Sequence, residues 1–444
     1  MALFNKNKKV VSTELEDFNF RKYTWAQFKK NKLALYSYRF LFVLVVLALI
    51  SPILSNDKPL YCKMEGKSYF PAFSFNDFYE LKTEKISLEF YDWKHAEFES
   101  VIWPMCAYSP GKSDALNIAL SPGAQQVFKK TNGELIQMPS KFRHRLGTTR
   151  DGGDVLAGLT HGIKYSLLIG ILSMLIATII GVLLGSMAGY YGNTGLKLKR
   201  GMLWSLCVGI FLAWFYAFYV RSYSLVDAFE TGGASLFLSL LISVLLFVVI
   251  IIAFYFIGKL ISKLPFFKAS KPLRLDAIIS RIIEINNSIP LFLVILAIAA
   301  IARPSFVTLI LLIGLSNWSG IARLTRGEFL RVSSLDYIQA ARSLGLSNWR
   351  ILLRHALPNA IGPALIAIAF GIAGAILTES SLSFIGVGVP PDTITWGKIL
   401  SEAKESTSSW WLIVFPGAAI FLTVTMYNLI GEGLRDALDP KLKK

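Results

Sequence analysis

The chain has 444 residues, 54% of them hydrophobic and only 17% charged, with a formal net charge of +17. A soluble chain carries about 25% charged residues, so the composition excludes an ordinary soluble protein and points to the bilayer. Nucleic-acid binding is set aside too, because the short Lys/Arg clusters flank apolar runs and do not gather on one exposed face.

Residues 1–36 are basic, through Lys6, Lys8, Lys9, Arg21, Lys22, Lys29, Lys30 and Lys32. They read as a cytoplasmic N-terminal segment. "YRFLFVLVVLALISPIL" follows, giving a first transmembrane helix over 37–56. The basic stretch is too long for an ordinary cleaved signal and no small-x-small site follows, so this helix reads as an uncleaved anchor.

Residues 57–162 form an extracytoplasmic segment, mixed and aromatic, in which "KISLEFYDW" alternates in part like a strand. A small folded domain and an ordered loop are both open there. Cys62 and Cys106 fall within it. A disulfide between them is one reading for a segment outside the cytoplasm, and two free thiols is the other. His95, His144, His161 and His355 make no HxxxH pair and no CxxC occurs, so no metal site is expected. Asp151-Gly-Gly-Asp154 has too few carboxylates for calcium and reads as a tight turn capping the next helix.

A span needs about 20 apolar residues. "YSLLIGILSMLIATIIGVLLGSMAGYYG" supplies one within 163–194, with Gly181, Gly185 and Gly189 on one face, where a second helix can approach closely. Residues 195–275 read as an inserted transmembrane hairpin with apolar runs at 202–220 and 235–262. Further runs at 279–302, 305–321, 361–386 and 411–430 lie within 276–440. The total is about eight spans, an all-α polytopic membrane protein.

Orientation follows from the short loops. Those at 196–200, 259–274 and 323–358 are rich in Lys and Arg, as is the tail with Arg435, Lys441, Lys443 and Lys444. The alternate loops are charge-poor: 221–234 has only Arg221 as a cation, and the turn at Arg303–Pro304 is short. Basic loops inside put both termini in the cytoplasm and 57–162 outside.

Inside the spans Glu379 is the sharpest charge. It lines the translocation pathway or makes an interhelical hydrogen bond. Asn286, Asn287 and Ser288, ahead of Pro290, either line a pore or satisfy backbone freed by the proline. Arg281 and Glu284 are a structural i, i+3 pair.

Between two of the last spans lies "DYIQAARSLGLSNWRILLRHALPN". It is polar and helix-forming up to Gly345, which can adopt positive φ and end the helix. Ser347 can cap the next helix, and Pro358 starts the turn into the following span. Ala340, Ala341 and Leu344 make a small apolar face. That face either docks in a partner's groove or belongs to a surface helix whose arginines reach anionic headgroups.

"QAARSLGLSNWRILLRHALPN" resembles the EAA loop of ABC-importer permeases, with Gln339-Ala340-Ala341 as the triplet, Gly345 as the glycine and Leu357-Pro358 as the terminal pair. Gln339 departs from the usual glutamate. "HRLGTTRDGGDVLAGLTHG" is similar to the stretch before the second span in C-type dipeptide and oligopeptide permeases, with Thr149 and Gly153 replacing an aspartate and an arginine. "AILTESSLSFIGVGVPPDTITWGKIL" and "NLIGEGLRDALDP" match that family's C-terminal third, and 57–143 resembles the external segment of Yej-type peptide permeases. The resemblance implies a type I ABC-importer permease core whose coupling loop, 323–359, inserts into an ATPase. The contact residues it implies are Gln339, Ala340, Ala341, Leu344, Gly345, Arg350, Leu357 and Pro358.

No GxxxxGK[ST] phosphate loop occurs, so ATP and Mg are expected on partner subunits and no cofactor on this chain. The implied partners are a second permease subunit, two ATPase subunits, an extracytoplasmic substrate-binding protein and the lipid of a bacterial inner membrane. The expected function is that of a non-enzymatic permease for peptides. A stand-alone secondary transporter or channel is the alternative, and it would want midplane carboxylates or broken-helix repeats. A membrane-embedded enzyme would need a clustered His/Asp/Glu or Ser/His set in the spans, and none is visible.

Overall fold

A computed structural model describes residues 20–438, apart from 65, 74–77, 82–83, 88–90, 131, 194, 196, 232, 300–304, 391–392 and 406–407. Lys6, Lys8, Lys9, the turn at Arg303–Pro304 and the tail residues Lys441, Lys443 and Lys444 lie outside the described residues.

The chain opens with α1 (Phe20–Phe28) and α2 (Lys32–Leu54). A polar domain comes next, with β1 (Tyr61–Met64), β2 (Lys67–Tyr69), β3 (Phe78–Leu81), β4 (Glu84–Ser87), β5 (Ser100–Ile102), β6 (Val127–Lys129) and β7 (Leu135–Gln137). Then come α3 (Val155–Tyr191), β8 (Lys197–Lys199), α4 (Arg200–Trp214), α5 (Ser222–Thr231), α6 (Gly233–Ile261) and β9 (Ser270–Pro272). The last part holds α7 (Leu275–Ser288), α8 (Leu291–Ala299), α9 (Phe306–Ser333), α10 (Asp336–Ser343), α11 (Asn348–Arg350), α12 (Leu357–Ala360), α13 (Gly362–Ile385), α14 (Trp396–Glu402) and α15 (Trp411–Leu438). Among the described residues seven helices are long and apolar enough to cross a membrane, and the bent pair α7–α8 makes up to eight spans. The protein is an all-α polytopic membrane protein.

Helix ends follow local chemistry. The first span starts at Lys32, earlier than the sequence suggests, because Asn31 caps it by accepting from the Ala34 amide at 3.1 Å. Asp154 caps α3 in the same way, accepting from Ala157 N at 2.7 Å. With 37 residues, α3 is about 55 Å long. That exceeds the bilayer core of about 30 Å, so the helix extends beyond it.

The centre of the molecule is the α3–α9 contact. A Cβ on Gly181 would lie 2.7 Å from the Trp318 carbonyl oxygen, and one on Gly189 2.5 Å from that of Arg326. Gly185 is tighter still against the Ala322 carbonyl, and Gly314 of α9 faces Ser173 and Ile176 in return. The partners advance together, 181 with 318 and 189 with 326, so the two helices run parallel. Only residues without a side chain let the backbones meet at this range. Ile169, Met174, Ala177, Ile310, Ile313, Ile321 and Ala322 fill the core beside the seam.

Parallel helices impose a count. The end of α3 and the start of α9 lie at opposite ends of this pair, because Tyr165 near the start of α3 packs on Phe306, with ring centroids 5.7 Å apart. The chain leaving α3 must therefore make an odd number of crossings before α9. Helices α4 and α6 supply two, and the bent pair supplies the third. Helix α7 starts beside the end of α3, where the Asp276 amide donates to the Gly192 carbonyl at 3.2 Å. It then climbs antiparallel to α9: Asp276 pairs with Arg326, and Asn286 Nδ2 donates to the Ser316 carbonyl at 3.0 Å. The straight span expected at 279–302 is thus two helices bent by 72°. Pro290 has no amide to donate, and Ile289 before it is extended at φ −96°, ψ 117°.

The inserted hairpin packs mainly on itself. A Cβ on Gly209 would meet Phe254 Cβ at 2.5 Å, and Ser205 donates to the Phe254 carbonyl at 2.6 Å. Strands β8 and β9 pair antiparallel and close its base. The 57–162 segment is a folded domain, not a bare loop. Strands β2, β1 and β5 form one sheet, and β3–β4 and β6–β7 form two ribbons. Of "KISLEFYDW", residues 85–87 lie in β4 and residues 88–90 lie outside the described residues.

Gly185→Leu should force α3 away from α9 and lower stability by roughly 1–3 kcal/mol or more, read as thermal unfolding in detergent. Gly320→Ala, where an added Cβ meets nothing within 4 Å, should instead hold or slightly raise the midpoint, since alanine favours the helix.

Candidate functional site

The polar loop between α9 and α13 is a packed structure. Helix α10 ends at Ser343 with Leu344 as its C-cap, and Gly345 takes φ +75°. The Leu346 amide then reaches back to the Ala341 carbonyl at 3.3 Å and the Gly345 amide to Arg342 at 3.0 Å. This pair of bonds is the Schellman closure, which favours glycine at this position. Ser347 holds the N-cap position of the next helix, but its hydroxyl makes no capping bond. A π-helical turn over Ile351–Ala356 carries the chain into α12, where Pro358 sits in the first turn.

Apolar side chains hold the loop to the ends of α3 and α9. Tyr190, Phe329, Val332, Ile338, Ala341, Ile351, Leu352 and Ala356 form one buried cluster. Around it, Tyr190 donates to Asn348 Oδ1 at 3.0 Å, and the Arg342 guanidinium lies 4.8 Å from the Tyr190 ring centroid. Asn359 donates to the Tyr337 hydroxyl at 3.1 Å, bracing α12 against α10.

This packing divides the residues that the sequence groups together. Ala341 is 7% exposed and faces the chain's own core, so it is removed from the outward contact set. Ala340, Gly345, Arg350 and Pro358 are exposed, and Leu357 is half-buried. Leu344 stands out at 80% exposure. Tyr337, Ala340 and Leu344, at i, i+3 and i+7, share one stripe of α10. Gln339 donates through Nε2 to the Ser333 carbonyl at 3.0 Å, a bond that the family's glutamate could not give while ionised. Trp349 and Leu353 are exposed as well. They are not among the contact residues that the sequence resemblance implies, although a large apolar side chain on a polar loop is itself a signal.

The polar residues that the sequence singles out within the spans are tied down. Glu379 is 0% exposed. It accepts from Ser383 Oγ at 2.8 Å and Ser380 Oγ at 3.3 Å, and it hydrogen-bonds Thr395. Thr395 in turn caps α14 by accepting from the Lys398 amide at 3.2 Å. Glu379 therefore joins α13 to α14 and does not face an open passage in this conformation. Asn286 bonds Ser316 and Ser319 of α9, and Asn287 accepts from Ser319 at 2.7 Å. Ser288 donates back to the Glu284 carbonyl at 2.8 Å. Arg281 and Glu284 form the expected i, i+3 pair at 2.8 Å.

Cys62 and Cys106 are free thiols in different clusters. Cys106 donates to Asp154 Oδ1 at 3.2 Å, so the disulfide reading gives way to the free-thiol one. Burial and the Asp154 carboxylate both push the Cys106 thiol up, which keeps it a neutral donor.

Asp154 belongs to a node with no signature in residue spacing. His144, with a side chain 0% exposed, places Nδ1 2.8 Å from Asp154 and Nε2 3.2 Å from Asp114. Both ring nitrogens face carboxylates, so the doubly protonated imidazolium satisfies both. Burial opposes that charge, but the two carboxylates outweigh it and raise His144 above its ordinary 6.5. Asp114 is held below its ordinary 3.8, against the opposing pull of burial, chiefly by His144 and Asn117. The node fastens the 57–162 domain to the first turn of α3. Trp411 Nε1 adds a bond to the Thr148 carbonyl at 3.0 Å, and His161 Nε2 one to that of Ser55 at 2.9 Å.

A group with a raised pKa contributes fully below its unfolded value, 6.5 for His144, and loses that contribution as pH climbs through the folded one. His144→Gln should therefore cost on the order of 3 kcal/mol near pH 6. Thermal melts should show the gap from wild type narrowing at alkaline pH.

Two family models match the chain. One, described as "Binding-protein-dependent transport system inner membrane component", matches residues 264–444, which include α7 through α15 and the loop. The other, "N-terminal TM domain of oligopeptide transport permease C", matches residues 19–68. The inner membrane ABC transporter permease protein YejE of Escherichia coli is 26% identical over 94% of this chain and 96% of its own length. The dipeptide transport system permease protein DppC of Bacillus subtilis is 26% identical over 69% of this chain and 72% of its own. The glutathione transport system permease protein GsiD of Pectobacterium atrosepticum is 40% identical over 38% of this chain and 56% of its own. The matched loop and the helices that hold it place the chain in a family: it belongs to the inner membrane components of binding-protein-dependent transport systems, as an oligopeptide/dipeptide-type ABC permease subunit.

Proposed function

We propose that this permease subunit couples ATP hydrolysis on two separate ATPase subunits to alternating access for peptides, across a bacterial inner membrane. A second permease subunit completes the passage, and an extracytoplasmic binding protein delivers the substrate. Both termini and the loop face the cytoplasm in this reading, in keeping with the Lys/Arg bias of the short loops. The external domain, 57–162, lies on the opposite side and the inserted hairpin, 195–275, within the bilayer. ATP and Mg belong to the ATPase subunits, and this chain performs no chemistry of its own.

One observation carries the reading: Leu344, 80% exposed, stands on a helix whose other side is locked to α3 and α9. An exposed apolar side chain outside the spans, beside Arg342, Arg350 and Arg354, suits insertion into a partner's groove. The locked side passes the partner's motion to the helices as a rigid body. The stand-alone transporter is disfavoured, because Glu379, its best candidate for an ion-binding carboxylate, is already enclosed and hydrogen-bonded.

Leu344→Asp should insert and fold as wild type. In proteoliposomes with the ATPase subunits it should cut coupled ATPase and peptide uptake about tenfold or more, as loss of an interface anchor does. Ala341→Trp should instead lower the melting temperature, since Ala341 is packed inward. Unchanged uptake in Leu344→Asp would remove the docking assignment.

A further inference from the structure

The external domain holds a cavity of about 430 Å³, lined by Asp57, Tyr91, Lys94, Tyr108, Lys112 and Phe128 among others. That volume lies in the range of about 300–1,000 Å³ usual for small-molecule sites. The charges in its walls are not all paired directly. Asp57 pairs with Lys112, Asp92 with His95 at 2.6 Å, and Asp114 with His144 and with Asn117 at 2.8 Å. Lys94 remains. Its ammonium stands 3.3 Å from the centroid of the Tyr108 ring and 5.7 Å from that of Phe142. Among the described residues it makes no ion pair. A ring face offsets only part of the hydration that a half-buried ammonium gives up.

We propose that this cavity binds a small organic carboxylate, with the carboxylate on Lys94 and the apolar portion against Tyr91 and Phe128. The charge-assisted bond supplies the direct anionic partner that Lys94 lacks among the described residues. Asp57, Asp114 and Asp154 favour the ammonium from a distance, and Tyr108 and Cys106, both pushed up by burial, stay neutral. His144 and Lys112 are matched by carboxylates of their own. Burial brings Lys94 down to about 8, so binding should weaken as the ammonium loses its proton. The site goes beyond the coupling role, and nothing in it depends on an ATPase. The Tyr108 ring that carries Lys94 also stacks on His144 at 4.0 Å. An occupant would therefore lie one side chain away from the node that caps α3.

The test is calorimetry on the full chain in nanodiscs, without other subunits, using N-acetylphenylalanine and its amide as probes. At pH 7 the acid should bind at least tenfold tighter than the amide. Its affinity should fall at least tenfold by pH 9.5, and Lys94→Gln should lose it while Lys94→Arg keeps it. Matched melting curves for the two variants would show that the domain remains folded. If Lys94→Gln unfolds, the acid-to-amide ratio and the pH dependence of wild type decide. Equal binding of acid and amide, full affinity in a folded Lys94→Gln, or no heat from the acid up to about 10 mM would overturn the proposal.

Discussion

The contact between α3 and α9 is the constraint on which the rest of the structure depends. Gly181, Gly185 and Gly189 bring one backbone against the carbonyls of Trp318, Ala322 and Arg326. In a bilayer the hydrophobic effect does not drive helices together, so close van der Waals packing of this kind carries much of the association. Because the two helices are parallel, both deliver their ends to the same side. Tyr190 and Phe329 then meet in one cluster and make the platform on which the loop folds. The glycine stripe thus sets the topology, and through it the location of the site.

The loop is held rigidly on that platform. Its inward side is apolar and closed, and its turn is fixed by the positive φ of Gly345. Its outward side exposes Leu344 and Trp349. Cross-links such as Asn359 to Tyr337 and Tyr190 to Asn348 leave little slack between the contact stripe and the spans. A force on α10 therefore reaches α3, α9 and α13 together. At the other end the His144 node fastens the 57–162 domain to the same α3, and Trp411 fastens it to the start of α15. One helix connects the two polar ends of the molecule.

Much of this was legible in the sequence, because it rests on local pattern. The glycine spacing, the helix stop at Gly345, the Asp154 cap and the number of apolar runs all depend on neighbours within a turn or two. The features that escaped depend on phase and on distance along the chain. Ala340 and Ala341 are equivalent as letters, yet one helical step puts them on different faces. The run at 279–302 is apolar throughout, so hydropathy reads one span, whereas Pro290 turns it by 72°. Cys62 and Cys106 share a segment but belong to separate clusters. The triad of Asp114, His144 and Asp154 is assembled across a folded domain, and residue spacing gives no hint of it.

The β8–β9 ribbon has a consequence for how such a chain gains length. Lys197 and Pro272 are partners, and the backbone on either side is joined where Gly192 meets Asp276. Everything between leaves and rejoins the scaffold through a single doorway, after two passes through the bilayer. A module attached in this manner can be grafted or lost without rotating the helices on its N-terminal side or inverting those on its C-terminal side.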